Sequence, residues 1–236
     1  MNNLGETVWS KLSSYQVSHN SLQYSPKYQM LHYTASESLE YISILNVHSI
    51  KGAYLQSYQV PGFYQSSYYH GCSLSKDESA FFCNMQKSTG ELGILRYDKK
   101  SKQIDVAVIS NKPSKNYYGN SILAISRKDV LYGYKTSRPD KHHFVKAAFA
   151  KHESNEYLLI EQSHQSILVD TAKNGIASRL DEDDQTVWHA IILNHNIAYF
   201  QVNLTDSSLV GAKHASNTSQ WLESRVLGIE VDKGVV

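Results

Sequence analysis

The feature that most limits how this chain can fold is a repeated order of short, strand-like segments. The clearest copy starts with Ser121–Ser126 (SILAIS), a tight turn at Arg127-Lys128-Asp129 and Val130–Thr136 (VLYGYKT). After a polar loop come His143–Ala150 (HFVKAAFA), a turn at His152–Asn155 and Glu156–Gln162 (EYLLIEQ). Such β-branched and aromatic runs, broken by hairpin-length turns, read as four consecutive antiparallel strands.

The order recurs three more times. One copy runs Cys72–Ser75, Ala80–Gln86, Glu91–Tyr97 and Ile104–Ser110. Another runs His189–Asn194, Ile197–Asn203, Ser208–Lys213 and Leu222–Gly228, after an insertion at Ser163–Val187. A weaker one runs Ser21–Ser25, Gln29–Thr34, Leu39–Val47 and Ala53–Val60. The second strands align as QMLHYT, FFCNMQ, LYGYKT and AYFQVN. Each copy carries apolar residues on both faces, so it must stack on something like itself. Radial repetition buries both faces and leaves only short edges.

The sequence therefore predicts an all-β, β-propeller-like array of four four-stranded antiparallel blades in a single domain over 1–236. The blades fall near 21–60, 71–110, 120–162 and 187–228. The ends left over either complete one blade between them, closing the ring, or form a fifth, irregular blade with Ser166–Ala172. The competing architecture is a β-sandwich of similar meanders.

Composition narrows the class of function. A net charge of +1 supplies no field to steer nucleic acid or an anionic membrane. MNNLGETVWSKLSS has neither a basic nor an apolar signal region, and no apolar run could span a bilayer. The expectation is a cytoplasmic protein, with the triplets at Asn203 and Asn217 read as chance glycosylation matches. Cys72 and Cys83 fall opposite one another when the Lys76–Ser79 turn is paired outward. In a cytoplasmic protein they are expected as two free thiols. No zinc-type cysteine set, GxSxG, phosphate loop or dinucleotide motif is present, so no metal and no cofactor is expected.

Aromatic residues are the first candidates for binding. FYQSSYYHG (63–71) and NYYGN (116–120) sit just before the first strand of their copies. This places Tyr68, Tyr69, Tyr117 and Tyr118 on one rim, where rings beside polar groups suit stacking on a sugar or flat organic ligand. Trp188 and Trp221 join them. For acid–base work the positions to inspect are His189 and two acidic residues inside apolar strands, Glu161 and Glu230. The acidic run Asp181–Asp184 reads as a solvated loop.

The fourth copy also resembles a blade of the fungal-type fucose-specific lectins. The matching pieces are Ala190–Leu193, Tyr199-Phe200-Gln201, Ser208–Val210 and Trp221. That resemblance implies a propeller and a sugar site. The family's sugar-clamping arginine precedes the aromatic pair, and Met30, Phe82, Tyr132 and Ile197 stand there in this chain. The leading expectation is a lectin-like binding module for a sugar or small organic ligand. The alternative is a cofactor-independent enzyme of lyase, isomerase or cyclase type.

Overall fold

A computed structural model describes residues 16–17, 21–37, 42–64, 71–87, 91–109, 117–137, 140–151, 157–168, 176–181, 185–193, 196–205 and 209–215. Every regular element among them is a β-strand. None is a helix long and apolar enough to cross a membrane.

The first meander holds β1 (Gln16–Val17), β2 (Gln23–Ser25), β3 (Met30–Glu37), β4 (Ile42–Ser49) and β5 (Tyr54–Pro61). Its order is β1-β3-β4-β5, with β2 also paired to β3. The second holds β6 (Phe63–Tyr64), β7 (Cys72–Leu74), β8 (Ala80–Lys87), β9 (Leu92–Asp98) and β10 (Gln103–Val108). The third holds β11 (Tyr117–Ala124), β12 (Asp129–Ser137), β13 (Asp140–Lys151) and β14 (Tyr157–Leu168). A fourth holds β15 (Ile176–Leu180), β16 (Thr186–Leu193), β17 (Asn196–Asn203) and β18 (Leu209–Ala215).

The meanders stack face to face in chain order, and β8 shows why. Its alternate residues feed two different cores. Phe81, Cys83 and Met85 join Leu45, Val47 and Val60 of the first meander. Ala80 and Phe82 join Val130, Tyr132, Val145 and Phe149 of the third. The other face of the third meander gives Leu131 and Phe144 to a further core with Val187, Phe200, Val202 and Leu204. A strand apolar on both faces is thereby satisfied without an outer helix.

The second and third meanders are also joined at their outer edges. Ala107 of β10 pairs in parallel with Tyr157 of β14, making one nine-stranded sheet. The joint is filled by Arg96. Its guanidinium lies 5.1 Å from the Phe149 ring centre and 5.3 Å from that of Tyr157, and it bonds the buried Asp105 carboxylate. Aromatic faces and a carboxylate together offset the cost of burying this charge.

Two expectations are corrected here. The register Cys72↔Cys83 is present, but the two sulfurs form a disulfide. The amides of Ser75 and Asn84 donate to the carbonyls of Ala80 and Gly71, so Cys72 and Cys83 occupy the non-hydrogen-bonded place between them. Such pairs lie closer than the average pair, and here the Cα atoms are 4.2 Å apart. The fourth sheet also starts earlier than expected. β15 comes from the stretch read as an insertion, which moves His189–Leu193 to second place; 222–228 lies outside the described residues.

Candidate functional site

The turn between the first and second strands of the first meander meets that of the second, where Lys27 Nζ donates to the Asp77 carbonyl (3.4 Å). In the second, third and fourth meanders this turn is closed by a side chain at the end of its first strand. Ser75 Oγ accepts from the Ala80 amide (3.0 Å) and donates to Asp77 (2.7 Å). Ser126 Oγ accepts from the amides of Lys128 (3.1 Å) and Asp129 (3.0 Å). Asp181 Oδ2 accepts from Thr186 Oγ1 (3.3 Å), Trp188 Nε1 (3.1 Å) and Gln201 Nε2 (2.8 Å). These local bonds are the ordinary work of Ser and Asp in turns.

The first turn behaves differently. Ser25, fully buried, turns its hydroxyl away from its own turn and donates to Glu78 Oε2 in the second meander (2.6 Å). It accepts in turn from Lys99 Nζ (2.6 Å), at the end of β9. Glu78 also accepts from the Lys27 amide (2.9 Å). Its backbone has φ of +59°, an uncommon conformation for a residue with a side chain, and its amide is tied to the Ser75 carbonyl (2.7 Å). The Lys99 amide is fixed to the Ser79 carbonyl (3.0 Å). Tyr28 lies over Lys99, ring centre 4.7 Å from Nζ.

A buried lysine costs free energy in its charged form. Burial pulls Lys99 down to about 8; the carboxylates of Glu78 and Asp77 oppose the fall and the charge of Lys27 assists it. Asp77 is held below the ordinary carboxylate range. Burial alone would raise it, but bonds from Ser79 and Ser75 and the charge of Lys27 outweigh that. His32, on β3, faces the same charge. Burial and then Lys99 push it down to about 3, and the backbone of Gln23 offsets little. Neither of its ring nitrogens makes a hydrogen bond of normal geometry. A further bridge joins Arg127 Nε to Asp98 Oδ2 (2.6 Å), across the second and third meanders.

The residues singled out from sequence do not gather here. Tyr68, Tyr69, Trp221 and Glu230 lie outside the described residues. Tyr117 and Tyr118 are on β11, paired with Thr136 and Lys135, in strand rather than loop. Trp188 is buried, bonded to Asp181. His189 is wholly buried between Phe144 (4.1 Å) and Phe200 (5.0 Å), beside a cavity of about 10 Å³, room for one water. Burial pushes its pKa down to about 3. Glu161 is an exposed position of β14. Ser25, Tyr28, Glu78 and Lys99 were missed. The one available signal was the recurrence of serine before a turn at 25, 75 and 126.

Comparison with known proteins defines the fold class first. No family model and no curated protein sequence matches the chain. Solved structures that do match are propeller-like. One is the Dos1 propeller, at 13% identity and a TM-score of 0.51, over 85% of this chain and 47% of that one. Another is the periplasmic gluconolactonase PpgL of Pseudomonas aeruginosa, at 9% identity and 0.51, over 84% and 54%. An uncharacterized protein of Listeria monocytogenes matches at 12% and 0.50, over 86% and 54%. The chain thus spans about half the length of these structures. They share its propeller-like, all-β fold.

Proposed function

We propose that this chain provides four blades of a propeller and a cofactor-independent acid–base site for a small organic substrate at the Ser25–Glu78–Lys99 cluster. One observation carries the reading: the directed hydrogen-bond chain from Lys99 Nζ through Ser25 Oγ to Glu78 Oε2, 2.6 Å at each step. An amine whose pKa is about 8 holds both protonation states near neutral pH, which general acid–base catalysis needs. Tyr28, 37% exposed, supplies a flat wall beside it. A propeller of similar fold bears the name gluconolactonase, which makes lactones the first substrates to try. Shared fold alone assigns no activity. The Cys72–Cys83 bond favours an oxidising compartment over the cytoplasm.

The test is a turnover screen of lactones, esters and small aldehydes and ketones, with Lys99→Met and Ser25→Ala as variants. Lys99→Met is expected to lower kcat about 100-fold or more, the scale of a lost acid–base group. A substrate turned over equally well by Lys99→Met would overturn the assignment.

A further inference from the structure

We infer that Lys99 is a nucleophilic amine that captures small, flat aldehydes and ketones as an imine, a chemistry that rests on the acid–base reading above. Three features of the cluster argue for a nucleophile rather than a structural ion pair. First, the nearest partner of Nζ is a neutral hydroxyl, Ser25 Oγ at 2.6 Å, and not a carboxylate. Second, the carboxylate lies one hydroxyl further on, so the Lys99 proton has a path out. Ser25 passes its own proton to Glu78 Oε2 as it receives one from Nζ. Third, the only ring over Nζ among the described residues belongs to Tyr28, about a third exposed on a four-residue turn. Swinging that ring aside opens Nζ to the carbonyl carbon of a planar group, which stacks against the displaced ring.

The steps balance. Neutral Nζ attacks the carbonyl carbon, a C–N bond forms as the C=O π bond breaks, and one Nζ proton moves to the oxygen, giving a neutral carbinolamine. Glu78, protonated in the relay, returns its proton through Ser25 to that hydroxyl, and the C–O bond breaks to release water as the nitrogen lone pair forms the C=N bond. The remaining Nζ proton passes back through Ser25 to the Glu78 carboxylate, leaving the neutral imine. One amine and one carbonyl compound become one imine and one water, with no oxidant or reductant. The charged and titratable groups around the amine are Lys27 and Asp77 from the turns, Glu78, and His32 beneath on β3. Exposed Lys27 and Lys100 lack the hydroxyl relay and serve as internal controls.

The experiment treats the whole chain near pH 7.5 with benzaldehyde and sodium cyanoborohydride and maps the reduced adduct by peptide mass spectrometry. Lys99 is expected to be labelled at least about ten times faster than Lys27 or Lys100, because burial lowers its pKa and the Ser25–Glu78 relay removes its proton. Ser25→Ala and Glu78→Gln should each slow that labelling without changing it at Lys100. Even labelling of the three lysines, or unchanged rates in both variants, would overturn the inference. Turnover that depends on Lys99 without trapping would sink the imine and leave the acid–base reading standing. Selective trapping with turnover indifferent to Lys99→Met would do the reverse.

Discussion

His32 and His189 are neutral in the fold because burial holds both near a pKa of about 3. In the unfolded chain each returns to about 6.5. Below that value the unfolded state binds protons that the folded state refuses. Their contribution is therefore intact above pH 6.5 and is lost as pH falls towards 3. Each histidine gives a slope of up to about 1.4 kcal/mol per pH unit. Urea midpoints between pH 7 and 4 should fall steeply, and less so in His32→Phe; a flat profile would show that these rings open to water. The low carboxylates Asp77 and Asp98 act only nearer their own range, below about pH 4. At this scale the sequence was least legible. It marked His189 as a site to inspect, and only the positions of Phe144 and Phe200 reveal a core residue. Lys99 follows a strand end and looks like any surface lysine. Its burial comes from Ser25 and Tyr28, over 70 positions earlier, which no local pattern records.

Strand pairs and turns supply the next two tests. The Cys72–Cys83 bond staples β7 to β8, so thiol titration of denatured, unreduced protein should find no free group. Replacing both cysteines with alanine should cost about 2–4 kcal/mol, the usual range for a native disulfide. Two titrating thiols would mean that the strands pair without a bond. The register was readable because turn length fixes the partner of each residue. The bond was not, because turn length does not say which pairs are the close ones. In the fourth sheet, Asp181 organises Thr186, Trp188 and Gln201 through a single oxygen. Asp181→Ala removes the carboxylate partner of the buried Trp188 Nε1, while Gln201 Nε2 keeps its bond to Thr186 Oγ1 (2.9 Å), and should cost about 1–3 kcal/mol. Chemical denaturation measures this; a loss under about 0.5 kcal/mol would mean that water replaces the carboxylate. Asp181 was read as part of a solvated acidic loop. Charge density suggested that, while the β15–β16 turn it closes was hidden in an apparent insertion.

Stacking of whole meanders is what the sequence showed best. Apolar residues on both faces of each copy demanded neighbours on both sides, and β8 meets that demand with two separate cores. Phe82, wholly buried between the second and third meanders, should cost about 3–5 kcal/mol as Phe82→Ala, and a calorimetric shift of under a degree would deny that the meanders form one cooperative unit. The edge-to-edge joint at Ala107 and Tyr157 was not foreseeable, since it depends on how two stacked sheets splay. The same stacking makes the proposed site, because Lys99 of the second meander is buried by Ser25 and Tyr28 of the first. Titration of the Lys99 side chain, followed by NMR of lysine-labelled protein and assigned with Lys99→Arg, joins fold and chemistry in one measurement. The account predicts a midpoint near 8 that moves in Ser25→Ala and Glu78→Gln. A midpoint at the ordinary lysine value of about 10.4, unchanged in both variants, would contradict it.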